Sequence, residues 1–212
     1  MEDDMTKGER RKQELLKIAY EMFLSKGYEN TSVDEIIEKA GIAKGTYYYY
    51  FPSKEQTLEE VIDMMLDEEE EKAKKIISSD APIPQKLVGI IASFRPDKGE
   101  EAIADALHAP ENVIMHEKTE RKLMERLVPI LSEVGRQGVE EGLFSCDNIP
   151  ERVREIVILS SALFDNNAFT EADITVFIDT VERILYAPSG SMSYISQLIT
   201  VEGGNKNGTL RI

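Results

Sequence analysis

Cysteine occurs once in the 212 residues, at Cys146, so no internal disulfide can brace the fold. Within the stretch 145–150 it reads as a small residue tolerated in a loop, in preference to a redox sensor. Histidine occurs only at positions 108 and 116, a spacing that fits no metal-ligand pattern. No metal or cofactor is therefore expected. The absence of any run of 18 or more apolar residues excludes a transmembrane helix. The opening MEDDMTKGERRK is charged and lacks the apolar centre of a secretory signal, which places the expected location in the cytoplasm, with no membrane partner. A P-loop, a GxGxxG and a GxSxG are all missing, and no enzyme is expected. A reaction centre at His116 with Glu117 or Glu120 would have neither motif nor spacing behind it.

Basic charge is scarce, but unevenly so. The net charge is −15, yet residues 1–54 hold nine Lys/Arg against ten Asp/Glu, a net of −1, and the remaining 158 residues carry −14. Local rather than net charge decides whether phosphates can approach a surface. These counts fit a small nucleic-acid-reading head on an acidic body.

What is present is helical periodicity, and no internal repeat. Leu15, Ile18, Ala19, Met22 and Phe23 form one apolar stripe, which Gly27 ends in the manner of a left-handed cap. Ser32 and Glu35 make a capping box before Val33, Ile36, Ile37 and Ala40, and Gly41 stops that short helix. A third helix is expected from 44 to about 51, closed by Pro52. Ser53 and Gln56 form a second capping box, opening a helix that runs through Leu58, Val61, Ile62, Met65 and Leu66 into an acidic stretch at 67–71. Glu68–Lys72, Glu70–Lys74 and Glu71–Lys75 stand at i,i+4, the pattern of a solvated connecting helix rather than of an acidic ligand site. Further helices are expected at about 84–95, 98–108, 111–141, 150–168 and 171–186. The fold class is all-α with about nine helices. The expected domains are a helix-turn-helix head at 1–54, a helical body at 55–202 and a loose tail at 203–212.

The chemistry concentrates at residues 10–54. Two short helices separated by Gly41, Ile42 and Ala43 form a helix-turn-helix, whose second helix enters the major groove of DNA. In that helix Tyr47 and Phe51 lie four apart and can both turn inward, leaving Thr46, Tyr48, Tyr49 and Tyr50 on the surface. Phenol groups can bond phosphates while their rings touch thymine methyls. Lys44 and Gly45 lie at the helix N-terminus, where unpaired N–H groups attract phosphate. Packing of the tyrosines between domains accounts for only one or two of four consecutive aromatics. The basic cluster Lys7, Arg10, Arg11 and Lys12 reads equally well as a DNA-touching arm and as an ordinary solvated helix start.

The run from Gly41 to Lys54, GIAKGTYYYYFPSK, preceded by Gly27-Tyr28 and Thr31-Ser32-Val33, resembles the DNA-binding head of TetR/AcrR transcriptional regulators. Their usual pattern here is G-V-S-K-G-T-L-Y-x-H-F-x-S-K. The resemblance covers about residues 10–56. It implies that Lys44, Gly45, Thr46, Tyr48, Tyr49 and Tyr50 face DNA, with Lys54 and Thr31 holding phosphates from neighbouring helix starts. Ala43, Tyr47 and Tyr50 depart from the family's common Ser, Leu and His, so base preference at Tyr50 does not carry over.

The same resemblance implies a body that binds a small-molecule effector and pairs two copies into a homodimer reading a double-stranded, palindromic operator. Pairing is expected through the last two long helices, at Ile156, Leu159, Ser160, Leu163, Phe177, Thr180 and Ile184. A ligand pocket is expected among Phe94, Met115, His116, Leu127, Phe164 and Asn167, with His108, Leu107, Leu123 and Phe169 nearby. Repression with release by effector is the implied behaviour. A helical protein-interaction adaptor without specific DNA binding is the alternative reading of the same chain.

Overall fold

Capping chemistry sets several of the helix boundaries. The computed structural model describes residues 5–94, 100–107, 109, 112–164 and 169–196. Among these residues there are nine α-helices and no strand, the expected all-α class. They are α1 (Lys7–Lys26), α2 (Val33–Ala40), α3 (Lys44–Tyr50), α4 (Lys54–Ile77), α5 (Ile83–Ser93), α6 (Glu101–Leu107), α7 (Val113–Glu140), α8 (Ile149–Phe164) and α9 (Glu171–Leu185). Thr6 with Glu9, Ser32 with Glu35 and Thr170 with Asp173 form complete capping boxes at α1, α2 and α9. Each satisfies N–H groups that a helix start otherwise leaves unpaired. At α4 the Ser53 hydroxyl accepts from the Gln56 N–H at 3.1 Å. Gly27 ends α1 with φ 81 and ψ 155, positive in φ but outside the left-handed helical region expected for it. Gly41 at φ 62 and ψ 41 is a true left-handed cap.

The chain divides into two compact units: one formed by Met1–Asp67 with Pro96–Glu120, the other by Glu68–Arg95 with Arg121–Ile212. The first is built on the α1 stripe, with Leu15, Ala19, Met22 and Phe23 all buried. Ile36 of α2, Tyr47 of α3, Phe51, and Leu58, Val61 and Ile62 of α4 complete its core. Each buried Leu, Ile, Val, Met or Phe among them contributes about 1.5–3 kcal/mol. Helix α6 packs on α1, burying Ile103 and Ala104, and the Tyr20 hydroxyl donates to Glu100 at 2.9 Å.

The second unit gathers Ile83 and Ile90 of α5, Leu131 and Val134 of α7, Val153 and Val157 of α8, and Ile174, Val181 and Leu185 of α9. Two glycines of α7 allow close packing there. A Cβ on Gly135 would stand 2.7 Å from Ile149, and one on Gly138 would stand 2.4 Å from the Phe144 ring. Pro150 sits in the first turn of α8, where a missing N–H costs nothing. Along α4, Lys74 pairs with Glu70 as expected, but also with Glu71, and Lys72 pairs with Glu69. The i,i+3 partner lies on the same helix face as the i,i+4 one, so both spacings compete. Cys146 is half-buried, and burial pushes its thiol pKa up, away from the reactive thiolate.

Candidate nucleic-acid interface

The geometry of α3 starts with the turn before it. Gly41 takes the left-handed conformation and its N–H returns to the carbonyls of Ile37 and Glu38, which reverses the chain sharply after α2. Ala43 follows as the N-cap of α3 and makes no side-chain cap bond. The first-turn N–H groups of α3 therefore lack the side-chain acceptor that Ser would provide there. Tyr47 is fully buried, and its hydroxyl lies 2.5 Å from the Thr57 hydroxyl, which in turn donates to the Ser53 carbonyl at 3.1 Å. The Tyr47 and Phe51 ring centroids are 5.6 Å apart. This pair fixes the rotation of α3 about its axis.

With that rotation fixed, the other rings turn outward. Tyr49 is 82% exposed and Tyr48 is 44% exposed, so neither is spent on the core. Lys44 and Gly45 are also exposed, and Thr46 is half-exposed. Lys44 reaches Asp34 at 3.0 Å, a surface pair that a phosphate can displace at little cost. That bond raises the Lys44 pKa, so the ammonium is fully charged at neutral pH.

Tyr50 leans the other way. With Lys7, Gly8, Arg10, Arg11 and Glu14 it lines a surface depression at the start of α1. Three members of the basic cluster thus join α3 on one surface. The fourth, Lys12, pairs instead with Glu60 at 2.5 Å and lies over the Phe51 ring. Arg11 is partly spent in closing α2, donating to the Ala40 carbonyl at 3.1 Å.

Two expected phosphate contacts look different in three dimensions. Thr31 is buried, and its hydroxyl donates to the Gly27 carbonyl at 2.9 Å, with the Met22 carbonyl at 3.3 Å. Its side chain closes the end of α1 and is not available to DNA, which corrects the expectation for that residue. Lys54 lies over the Tyr28 ring, 4.2 Å from its centroid, and donates to the Glu29 carbonyl at 3.3 Å. An ammonium has three donors, so this anchoring leaves others for a phosphate. Tyr28 as the platform under Lys54 was not anticipated, although its ring also meets Phe23 edge-on at 5.3 Å.

The second unit holds a partly enclosed cavity of about 110 Å³. Phe94 and Leu127 line it, together with Phe144, Val153 and Val181. Three other residues expected there lie elsewhere. Phe164 is buried against the rings of Phe169 and Phe177, with centroids about 5 Å apart, and is not part of the wall. Met115 and His116 belong to the first unit and do not line this cavity; the His116 Nε2 is 3.9 Å from Glu120. Asn167 and His108 lie outside the described residues.

Three of the residues assigned to pairing also serve the cavity: Ile156, Ser160 and Phe177 line it, Phe177 being fully inward. Leu159, Leu163, Thr180 and Ile184 are half-buried. The helix surfaces instead expose Ile158, at 54%, and Val176, at 64%. The one-position offset reflects helical phase: Val157 and Phe177 point into the unit, so Ile158 and Val176 point out of it. Among the described residues no group of His, Cys, Asp and Glu could hold a metal ion, and no helix is long and apolar enough to cross a membrane.

Residues 15–61 match the family model described as bacterial regulatory proteins, tetR family, so the likeness read from residues 10–56 is borne out. No curated protein matches the chain. Among solved structures, a regulator from Mesorhizobium loti MAFF303099 assigned to the TetR family is 21% identical, with a TM-score of 0.56 over 86% of this chain and 98% of that one. Salmonella enterica GusR is 20% identical at a TM-score of 0.55, over 87% and 100%. RolR, solved with the ligand resorcinol, is 18% identical at a TM-score of 0.59, over 91% and 94%. At these identities the likeness is one of fold.

Proposed function

We propose that this chain, whose segment 15–61 belongs to the tetR family of bacterial regulatory proteins, is a cytoplasmic, dimeric transcriptional repressor that a small-molecule effector releases from a palindromic operator. The observation that carries the reading is the sorting of the four tyrosines of α3. Tyr47 alone is buried, and Tyr48 and Tyr49 face solvent beside Lys44. A helix of seven residues gains nothing for its own stability by exposing such rings. Against DNA the same rings and the Gly45 backbone can approach base edges, while Lys44, Lys54, Lys7 and Arg10 meet phosphates.

Pairing follows from the small footprint of one such helix. A single head reads too few bases for tight specific binding, whereas two related by a two-fold axis read half-sites about 34–36 Å apart. The exposed Ile158 and Val176 on α8 and α9 favour those helices as the pairing surface. The apolar cavity supports effector binding, as does the ligand-bound state of the similarly folded RolR. Effector releases DNA only by as much as it prefers the conformation whose recognition helices are wrongly spaced. Couplings of this kind are typically about 1–3 kcal/mol.

Selection of bound duplexes from a random pool tests the reading. Recovery of a two-fold symmetric site is the expected result. Failure to enrich any sequence, with no salt-dependent binding to duplex DNA, would instead favour a protein-interaction adaptor.

A further inference from the structure

Beyond α9 the chain is built like a strap on a fixed hinge. Tyr186 closes the helix in the left-handed conformation, φ 51 and ψ 40, which a bulky residue rarely adopts. Arg152 of α8 pins that point: its guanidinium lies over the Tyr186 ring, 4.7 Å from the centroid, and donates to the Ile184 carbonyl at 2.5 Å. Residues 187–196 then turn back, with Pro188, Ser189 and Gly190 exposed and Met192 buried. Met192 and Ile195 reach the cavity wall, most of which comes from α5, α7, α8 and α9. The strap is latched to α9 by Glu182, which is 5% exposed and whose two oxygens accept from the N–H groups of Gly190 and Met192, each at 2.9 Å. Its other turn bonds are local, Ser191 N–H to the Pro188 carbonyl at 3.1 Å and Ile195 N–H to the Met192 carbonyl at 3.0 Å, so they survive if it swings as a piece. Closure also carries penalties. It keeps a carboxylate from water, and it buries the Ser191 and Tyr194 hydroxyls, which have no hydrogen-bond partner among the described residues.

We infer that residues 187–196 open and close on the cavity while the helices that frame it stay folded, with Tyr186 as hinge and Glu182 as latch, and that a molecule in the cavity holds the strap shut through Met192 and Ile195. Opening breaks the two latch bonds and uncovers Met192, but it returns water to Glu182, Ser191 and Tyr194. Moving any of the framing helices would instead uncover core residues such as Leu131, Val134, Val157 and Val181 with no such return. The strap is therefore the part of the wall that yields first. An occupant of the cavity touches Met192 and Ile195 only when the strap is down, so occupancy and closure favour each other. This closure goes beyond the effector-binding reading and does not require release of DNA.

Amide exchange on the full chain, read residue by residue by NMR and normalised to the intrinsic rates, tests this. The N–H groups of Gly190 and Met192 should exchange about tenfold or more faster than those of Val157 and Val181. Low urea should leave the two strap amides unchanged while it accelerates the helix amides, because opening the strap exposes little surface. Glu182→Ala strips both acceptors and should speed the strap amides by about tenfold or more, with circular dichroism confirming the helices. Ser191→Ala removes a hydroxyl stranded by closure and should slow them by about fivefold or more, a test that holds even if Glu182→Ala fails to fold. Benzene, on the scale of a cavity of about 110 Å³, is the occupant: at ten times its Kd it should slow the strap amides about tenfold. Strap amides that exchange together with Val157 and Val181 overturn the inference, as does a failure of Ser191→Ala to slow them or of a folded Glu182→Ala to speed them. Benzene that does not bind, or that binds without slowing them, overturns it as well. Affinity for the selected duplex is read separately: a strap that closes on benzene while DNA affinity stays unchanged supports the inference and counts only against benzene as an effector.

Discussion

Replacing Tyr47 by Phe and Thr57 by Val, singly and together, probes the contact that orients the recognition helix. The two hydroxyls lie 2.5 Å apart with Tyr47 and Thr57 both fully buried, and Thr57 also donates to the Ser53 carbonyl. Tyr47→Phe removes one hydroxyl while Thr57 keeps its bond to Ser53. Its expected cost is about 0.5–1.5 kcal/mol, the net worth of one hydrogen bond. Thr57→Val is the harsher change, because it strands the phenol in the core, while the Ser53 carbonyl keeps the Thr57 N–H as its donor. A stranded buried polar group costs about 1–3 kcal/mol. In the double variant no phenol is stranded, so its cost should fall below the sum of the singles by about 0.5–2 kcal/mol. Urea unfolding followed by circular dichroism reads these differences as shifts in midpoint at constant slope. DNA affinity should change little in Tyr47→Phe, since the ring that fixes the rotation of α3 is retained. Additive costs, or a Tyr47→Phe variant that binds DNA as poorly as a Tyr49→Ala variant, would refute the reasoning.

Other substitutions and conditions separate structural from functional roles. Gly45→Ala meets nothing within 4 Å, so urea unfolding should show wild-type stability or slightly more, while affinity for the selected duplex falls because a methyl blocks close backbone approach. Gly138→Ala drives a Cβ into Phe144 and should cost about 1–3 kcal/mol in the same unfolding assay. Ile158→Glu with Val176→Glu should turn a dimer into monomers by sedimentation without loss of helicity. The capping-box carboxylates Glu9, Glu35 and Asp173 have lowered pKa values, Glu35 down to about 2 through the Lys26 amine and the Ser32 groups. Their stabilisation is complete above the ordinary carboxylate range near 4 and is lost as pH falls through their lowered values. Amide protection at the first turns of α1, α2 and α9, measured relative to the intrinsic exchange rate at each pH, should therefore fall on acidification. Tyr28, Tyr47 and Tyr194 have raised pKa values, with burial the first cause in each. Their contribution is full below about pH 10 and lost above it, so alkaline titration should unfold the protein as the phenols ionise.

Local signals made the head legible. Ser32 and Glu35, Gly41, and the spacing of Tyr47 and Phe51 each act within one or two helical turns, and each stands where that spacing puts it. Thr31 was misread because its position at a helix start says nothing of the α1 carbonyls that claim its hydroxyl. The body was legible as helices but not as a site. Its apolar residues outnumber what one face can hold, so the stripe containing Ile156, Phe177 and Ser160 fits a pairing face and a cavity wall equally well. Only packing decides between them, and it puts Ile158 and Val176 outside. The turn after α9 carried no sequence signal, because the Glu182 carboxylate that holds it lies eight and ten residues before the N–H groups it accepts from.

A salt titration of the selected duplex tests most directly whether the surface formed by Lys44, Tyr48 and Tyr49 grips DNA. The logarithm of the binding constant should fall linearly with the logarithm of salt concentration. Lys44→Ala, which removes one phosphate contact from each protomer, should reduce that slope by about 2. A flat titration, or a slope that Lys44→Ala leaves unchanged while Tyr49→Ala binds selected and scrambled duplexes as the wild type does, would contradict the account.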